Sequence, residues 1–271
     1  SEYLDAHCLL SSIYFLKKKY VKCIEATTKF LDLLKSIESN SKKALLVPFN
    51  TLQHARLAYS RMSIVFFEQK KEQEGLQALR NSISSAENKW EPYFIISKHF
   101  AEKDDSKLAE RFLVDGIKEN PGNKDLLYYA AELNEKSGAT DKALNNLKAI
   151  TKYHPDETPA HYKQGLIHLE KSYYDEAIKS FKSVTERYPD NFESLFHMAI
   201  AYEGSGNSSQ SKEIYNSLIR TNPDNPEVLV RLGSLYLREE DNTGAKECFL
   251  KLLNYEKYLT EAHLCLSKIY I

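Results

Sequence analysis

The chain is poor in the residues that interrupt regular structure. Its 271 residues include nine glycines and eight prolines, with one tryptophan and two methionines. So few breakers, in a chain that is 42% hydrophobic, exclude a disordered or low-complexity protein and leave room for a sizeable core built from long elements. An excess of either charge is also missing. Lys plus Arg number 37 and Asp plus Glu number 38, a net charge of -1, so nothing in the balance points to a nucleic-acid partner. The run Lys17-Lys18-Lys19 reads as a solvated turn. No stretch of about eighteen apolar residues is present, and no membrane insertion is expected. Four cysteines, Cys8, Cys23, Cys248 and Cys265, form no CxxC pair and have no histidine spacing that would complete a zinc site; they read as small buried hydrophobes.

Catalytic signatures are absent as well. The sequence has no GxSxG, no GxxxxGK[ST], no HExxH and no GxGxxG. The acid pairs Asp104-Asp105 and Glu239-Glu240 fall in turns, where solvated charge accounts for them. No enzyme activity and no cofactor are expected.

What the sequence does have is a period. Pro121 in "KENPGN", Pro155 in "KYHPDE", Pro189 in "ERYPDN" and Pro223 in "RTNPDN" stand 34 residues apart, each a helix terminator. Residues 56–89, 90–123, 124–157, 158–191, 192–225 and 226–259 align as six consecutive units. Their eighth place reads Ser63, Ser97, Ala131, Gly165, Ala199 and Gly233, continued by Ser267. The twentieth reads Gly75, Ala109, Ala143, Ala177, Ser211 and Ala245, and the twenty-fourth Leu79, Leu113, Leu147, Phe181, Tyr215 and Phe249. Small residues at two places let two helices approach closely, and the bulky one fills the space beside them. Each unit is therefore predicted to be a helical hairpin. One hairpin cannot bury its own apolar face, so the hairpins must stack.

With small residues at places 8 and 20, a bulky one at 24, proline at 32, and Phe66, Phe100, Tyr202, Tyr236 and Tyr270 at place 11, the pattern resembles the tetratricopeptide repeat. The resemblance implies an all-α, right-handed superhelical solenoid of about seven hairpins. Residues 1–37 resemble one more hairpin, with Ser11 at place 8, Tyr14 at 11, Tyr20 at 17 and Cys23 at 20. It is out of phase, separated from 56–259 by an insertion, an extended helix or loop, at 38–55, in which Leu45, Leu46, Val47 and Phe49 around Pro48 are expected to fold back onto the solenoid. Residues 260–271 read as the first helix of a further, truncated repeat or as a cap. Its apolar flank, Leu264, Leu266 and Ile269, would be poorly covered and could pair two copies as a homodimer. The start at Ser1, without methionine, suggests a fragment.

In the resembled family, places 5, 9 and 12 face a concave groove. Here they carry Phe94, Tyr128, Tyr162, Phe196 and Val230 at place 5, Leu166 and Ile200 at place 9, and Leu169 at place 12. Aromatic side chains bring large contact area at modest entropic cost. These eight residues are the candidate partner-binding site, suited to an extended or helical protein segment. The basic clamp with which some relatives hold a terminal carboxylate is missing: place 5 is aromatic, place 2 is acidic at Glu91, Asp125, Glu193 and Glu227, and only Arg61 and Arg231 supply arginine at place 6. His161, Gln164 and His168 share one helix face, but no carboxylate or cysteine is placed to complete a metal set, so His161 and His168 read as a polar network between repeats.

The resemblance implies a non-catalytic scaffold that helps to assemble a multiprotein complex. Two other readings stay open. The chain could be the substrate-recruiting region of a larger enzyme. Its Lys, Ile, Asn, Ser and Tyr usage, typical of an AT-rich genome, also suits a bacterial envelope or flagellar-motor component, such as family members build in spirochaetes. RNA reading is opposed by the acidic place 2. The compartment is left open, with cytoplasm favoured over periplasm.

Overall fold

The structure, a computed structural model, describes residues 2–38 and 51–270; Leu45, Leu46, Val47 and Phe49 lie outside the described residues. The described part holds fifteen α-helices and one 3-10 turn, Glu256–Tyr258, with no strand among the described residues. The chain divides into two compact units, Ser1–Gly138 and Ala139–Ile271. The first contains three helical hairpins, α1 (Glu2–Leu16) with α2 (Tyr20–Glu38), α3 (Thr51–Glu68) with α4 (Glu72–Ser84), and α5 (Glu91–Glu102) with α6 (Ser106–Glu119), followed by α7 (Lys124–Lys136). The second begins with α8 (Thr140–Tyr153). Three hairpins follow, α9 (Thr158–Glu170) with α10 (Tyr174–Thr185), α11 (Phe192–Gly204) with α12 (Ser208–Thr221), and α13 (Pro226–Arg238) with α14 (Asn242–Leu252), and then α15 (Leu259–Tyr270). Helix α3 starts ahead of residue 56, where the period places the unit, so the last residues of the 38–55 segment are already helical.

Local chemistry sets the helix ends. Asn123, Asn191 and Asn225 occupy the last place of their units, and each side chain accepts from the backbone N–H three residues on, at 2.8 to 3.0 Å. Asp105, Asn207 and Asp241 do the same for the second helices. Such caps satisfy donors that the helix itself leaves orphaned, at about 1 kcal/mol each. Between the two helices of a hairpin the backbone turns left-handed. Lys70, Asp104, Gly138, Ser172, Gly206 and Glu240 have φ of 60°, 60°, 74°, 60°, 83° and 61°, again at 34-residue intervals, and Lys18 repeats this in the first hairpin. At Ser172 the turn is closed by Ser172 N–H to Leu169 O at 3.0 Å and Tyr173 N–H to His168 O at 2.8 Å, a helix-ending motif in which glycine is the favoured residue. Only two of these seven positions carry glycine.

The hairpins close on the small places. Residues 63, 97, 131, 199 at place 8 and 109, 143, 177, 211, 245 at place 20 are buried to within 1% of completely. Where place 8 is serine, its hydroxyl crosses to the second helix: Ser63 donates to the Gly75 carbonyl and Ser97 to the Ala109 carbonyl, both at 2.8 Å. Where it is glycine, a ring takes the space. A Cβ on Gly165 would lie 2.5 Å from the Phe181 ring, and one on Gly233 would lie 2.9 Å from Phe249. Thus Gly165 pairs with Phe181 and Gly233 with Phe249, while Ser63 and Ser97 pair with Leu79 and Leu113: the volume given up on one helix is filled from the other.

Polar contacts tie hairpins within the first unit. The Glu68 carboxylate on α3 is bonded by the Tyr20 hydroxyl from α2, by His99 from α5 (2.6 Å) and by Lys103 just past the end of α5. Burial by itself would raise this carboxyl, but the hydrogen bonds from Lys103, Tyr20 and His99 outweigh it and hold it below the ordinary value. At the far end of the second unit one sequence expectation is corrected. Leu266 is buried against the α13–α14 core, because α15 turns that face inward; of the expected apolar flank, Leu264 remains 58% exposed and Ile269 is half-buried.

Two substitutions test this construction. Gly165→Ala gains about 1 kcal/mol of helix propensity but overpacks a fully buried ring, which costs about 1–3 kcal/mol. A net loss of stability is expected in chemical denaturation, restored by the double variant Gly165→Ala, Phe181→Leu. Ser172→Gly removes the left-handed strain and should raise stability by about 0.5–1 kcal/mol in the same experiment.

Candidate functional site

All eight candidate residues lie on the first helices of their units, and all are half-buried. Phe94 and Tyr128 belong to the first compact unit and the other six to the second. In the first unit Phe94 packs on Leu113, the place 24 residue of its own hairpin, with Trp90 at 6.1 Å and Tyr129 edge-on at 5.2 Å.

The second unit repeats that construction with larger rings. Tyr162 on α9 rests on Phe181 of α10, centroids 5.8 Å apart at 61°, and Phe196 on α11 rests on Tyr215 of α12 at 6.0 Å. Val230 packs into the cluster that contains Phe249. Place 5 therefore sits on place 24 in the α9–α10 and α11–α12 hairpins. The inner side chain is fully buried and supports the outer one, which keeps part of its surface in solvent. Leu166 and Leu169 join the Phe181 cluster, and Ile200 joins that of Tyr215.

His197, at place 6 of α11, stands among these rings: 5.8 Å from Tyr162, 5.8 Å from Phe181 in a stacked arrangement, and 5.6 Å from Phe196. Its Nδ1 donates to the Glu193 carbonyl at 2.7 Å, and the Tyr162 hydroxyl oxygen lies 3.4 Å from the same nitrogen. Burial and the nearby Glu193 charge raise the Tyr162 hydroxyl above the ordinary value, so it stays a neutral hydrogen-bonding group. Tyr162 and Glu193 also line an open pocket of about 460 Å³ between the start of α9 and the start of α11.

Toward the end of the chain the same face changes character. Place 9 runs Leu166, Ile200, Ser234, Lys268, and place 6 places Arg231 beside Val230. A second open pocket, of about 830 Å³, lies between α13 and α15 and is lined in part by Val230, Arg231, Arg238 and Lys268. Glu203, from place 12 of α11, faces it. Its carboxylate is engaged by Arg238, by Arg231 at 3.5 Å, and by the Tyr215 hydroxyl at 3.4 Å. Tyr215 is driven far up by burial first and by this carboxylate second. This charged end was readable in place 9, which passes from Leu166 and Ile200 through Ser234 to Lys268, a signal that a search for aromatic anchors passes over.

His161, Gln164 and His168 do not form one network. His161 donates from Nε2 to the Pro155 carbonyl at 2.9 Å, while Gln164 donates to Thr151 Oγ1 at 3.0 Å. His168 is buried with Nδ1 unpartnered. Gln164 and His168 are thus core residues. Among the described residues no three His, Cys, Asp or Glu side chains converge to hold a metal ion, and no helix is long and apolar enough to cross a membrane. All four cysteines are free thiols.

Burial, with Lys148 and Lys171 adding to it against the opposing pull of Glu176, lowers His168 below its ordinary value. The unfolded chain then binds the proton more readily than the folded one. Stability is therefore fully present above the unfolded value, about 6.5, and is lost as pH falls below it. His168→Gln should flatten the fall in melting temperature between about pH 7 and pH 5.

The tetratricopeptide repeat family matches residues 135–192, 168–229 and 226–258. No curated protein matches the sequence. Among solved structures, the C-terminal part of a TPR repeat-containing protein from Cytophaga hutchinsonii is similar with a TM-score of 0.60, covering 96% of this chain and 99% of that one at 16% identity. A fragment of MamA from Desulfovibrio magneticus RS-1, residue 41 to the end, gives 0.53 over 62% of this chain and 95% of that one at 20% identity. A double mutant of MamA RS-1 gives 0.55 over 63% and 96%, also at 20%. At such identities the likeness concerns the fold. Together with the 34-residue period and the hairpins built on it, these matches identify residues 135–258 of this chain as tetratricopeptide repeats.

Proposed function

We propose that the chain is a non-catalytic scaffold that binds a segment of a partner protein on the face formed by the first helices of its hairpins and so helps to assemble a multiprotein complex. The observation that carries this reading is the two-layer construction of the face. Tyr162 and Phe196 each rest on a fully buried aromatic, Phe181 and Tyr215, and keep only their outer part in water. Anchors held in this way lose little conformational freedom when a partner covers them. Leu166, Leu169, Ile200 and Val230 extend the apolar surface between them, and Phe94 and Tyr128 supply the equivalent positions in the first unit. An extended or helical peptide presenting apolar side chains fits such a surface.

Affinity capture from a lysate of the source organism, comparing the wild-type chain with a Tyr162→Ala, Phe196→Ala variant, tests the proposal. Circular dichroism must first show that the variant is folded. A defined partner lost only with the variant is the expected result. Equal recovery on both chains would overturn the assignment of this face.

A further inference from the structure

We infer that the α13–α15 end of this face selects an acidic segment of the partner, one that carries glutamate or aspartate side chains beside an apolar residue. The inference rests on the reading of the face as a docking surface and adds the chemistry that the partner must bring.

The pocket between α13 and α15 has an apolar floor and cationic walls. Val230, Leu237 and Cys265 supply the floor; Arg231 and Arg238 from α13 and Lys268 from α15 supply the walls. Two carboxylates, Glu203 and Glu261, also line it. Three cations therefore meet two anions, and the anions are not equally available. The Glu203 side chain is 14% exposed and already committed to Arg238, Arg231 and the Tyr215 hydroxyl. The side chains of the two arginines that hold it remain 43% and 55% exposed. Each guanidinium has five N–H donors in a planar fork, so one shared carboxylate leaves most of their capacity directed at solvent. Glu203 thus orients the arginines from below and leaves their outer edges for a second carboxylate, whose bidentate bond to arginine would be charge-assisted.

Charge also fixes how the segment lies. Glu193, Glu227 and Glu261 occupy place 2 of α11, α13 and α15, the opening turns of these helices, and would repel an acid there. Arg231, Arg238 and Lys268 lie further along the same helices. An acidic side chain is accepted in the pocket and refused at the helix starts, while its apolar neighbour covers Val230 and Leu237 or, one hairpin back, Ile200 and Phe196. The pocket is an open trough between two helices, so a chain can pass through it; the carboxylate it reads belongs to a side chain.

Fluorescence anisotropy on the full chain, with labelled probe peptides that are acetylated and amidated at their ends, tests this. One probe alternates leucine with glutamate; its counterparts carry serine or lysine in place of glutamate. The glutamate probe should bind about tenfold tighter than the serine probe at low salt, and the preference should fall as salt is raised. Arg231→Glu combined with Lys268→Glu should remove it. Glu203→Gln should strengthen glutamate-probe binding several-fold, because it frees both guanidiniums while its amide oxygen still accepts from Tyr215. A merely structural role for Glu203 would not produce that gain. A serine probe that binds as tightly as the glutamate probe, and is weakened by Phe196→Ala, would overturn the acidic selection while leaving the docking face standing. Preference for the lysine probe, failure of the glutamate probe to bind, or tighter binding of an uncharged probe with a free C-terminal carboxylate would each overturn it.

Discussion

Each hairpin depends on how closely its two helices approach. The two small residues at places 8 and 20 permit the approach, and the side chain at place 24 fills what they leave. Because the interior is packed to crystal-like density, volume cannot be changed on one helix without an answer on the other. Gly165 with Phe181 and Gly233 with Phe249 answer one way; serine with leucine, aided by the Ser63 and Ser97 hydroxyl bonds to facing carbonyls, answers another. The consequences reach the surface. In the α9–α10 and α11–α12 hairpins the large rings of Phe181 and Tyr215 at place 24 support the aromatics at place 5, so there the outer face rests on a packing choice made inside.

That outer face is graded along the second unit. At α9 and α11 it offers Tyr162, Leu166, Phe196 and Ile200 around His197, and at α13 and α15 it offers Arg231, Arg238 and Lys268 around an apolar floor. Apolar anchors supply contact area with little direction. Fixed guanidiniums supply direction and are sensitive to the partner's charge. On the proposed reading, a face that carries both would discriminate between segments that are equivalent on hydrophobic grounds alone.

Much of the fold was legible in the sequence because its determinants are local and periodic. The prolines and the small residues at places 8 and 20 act over a few residues or between adjacent helices, and a fixed period exposes each of them several times. The left-handed residues were not legible. Lys70, Asp104, Ser172 and Glu240 are ordinary surface residue types, and they turn left-handed because the hairpin geometry demands that conformation at place 15 whatever side chain stands there. Leu266 was misread for a related reason: the sequence shows that α15 is amphipathic but not which arc of it meets α13 and α14. Gln164 and His168 read in sequence as part of a polar network between repeats and are core residues in the structure, with Thr151 meeting Gln164 and nothing meeting His168 Nδ1.

The sequence by itself determined the repeat length, the all-helical class and the hairpin as the unit. Each of these follows from periodicity, which survives without coordinates; the eight candidate residues came from the resemblance to the family. Tertiary structure alone decided how those residues are used: that place 5 rings rest on place 24 rings, that His197 stands among them, and that Glu203 gathers Arg231 and Arg238 from the next hairpin. These are contacts between side chains distant along the chain. Their geometry depends on how the helices dock, and no local spacing encodes it.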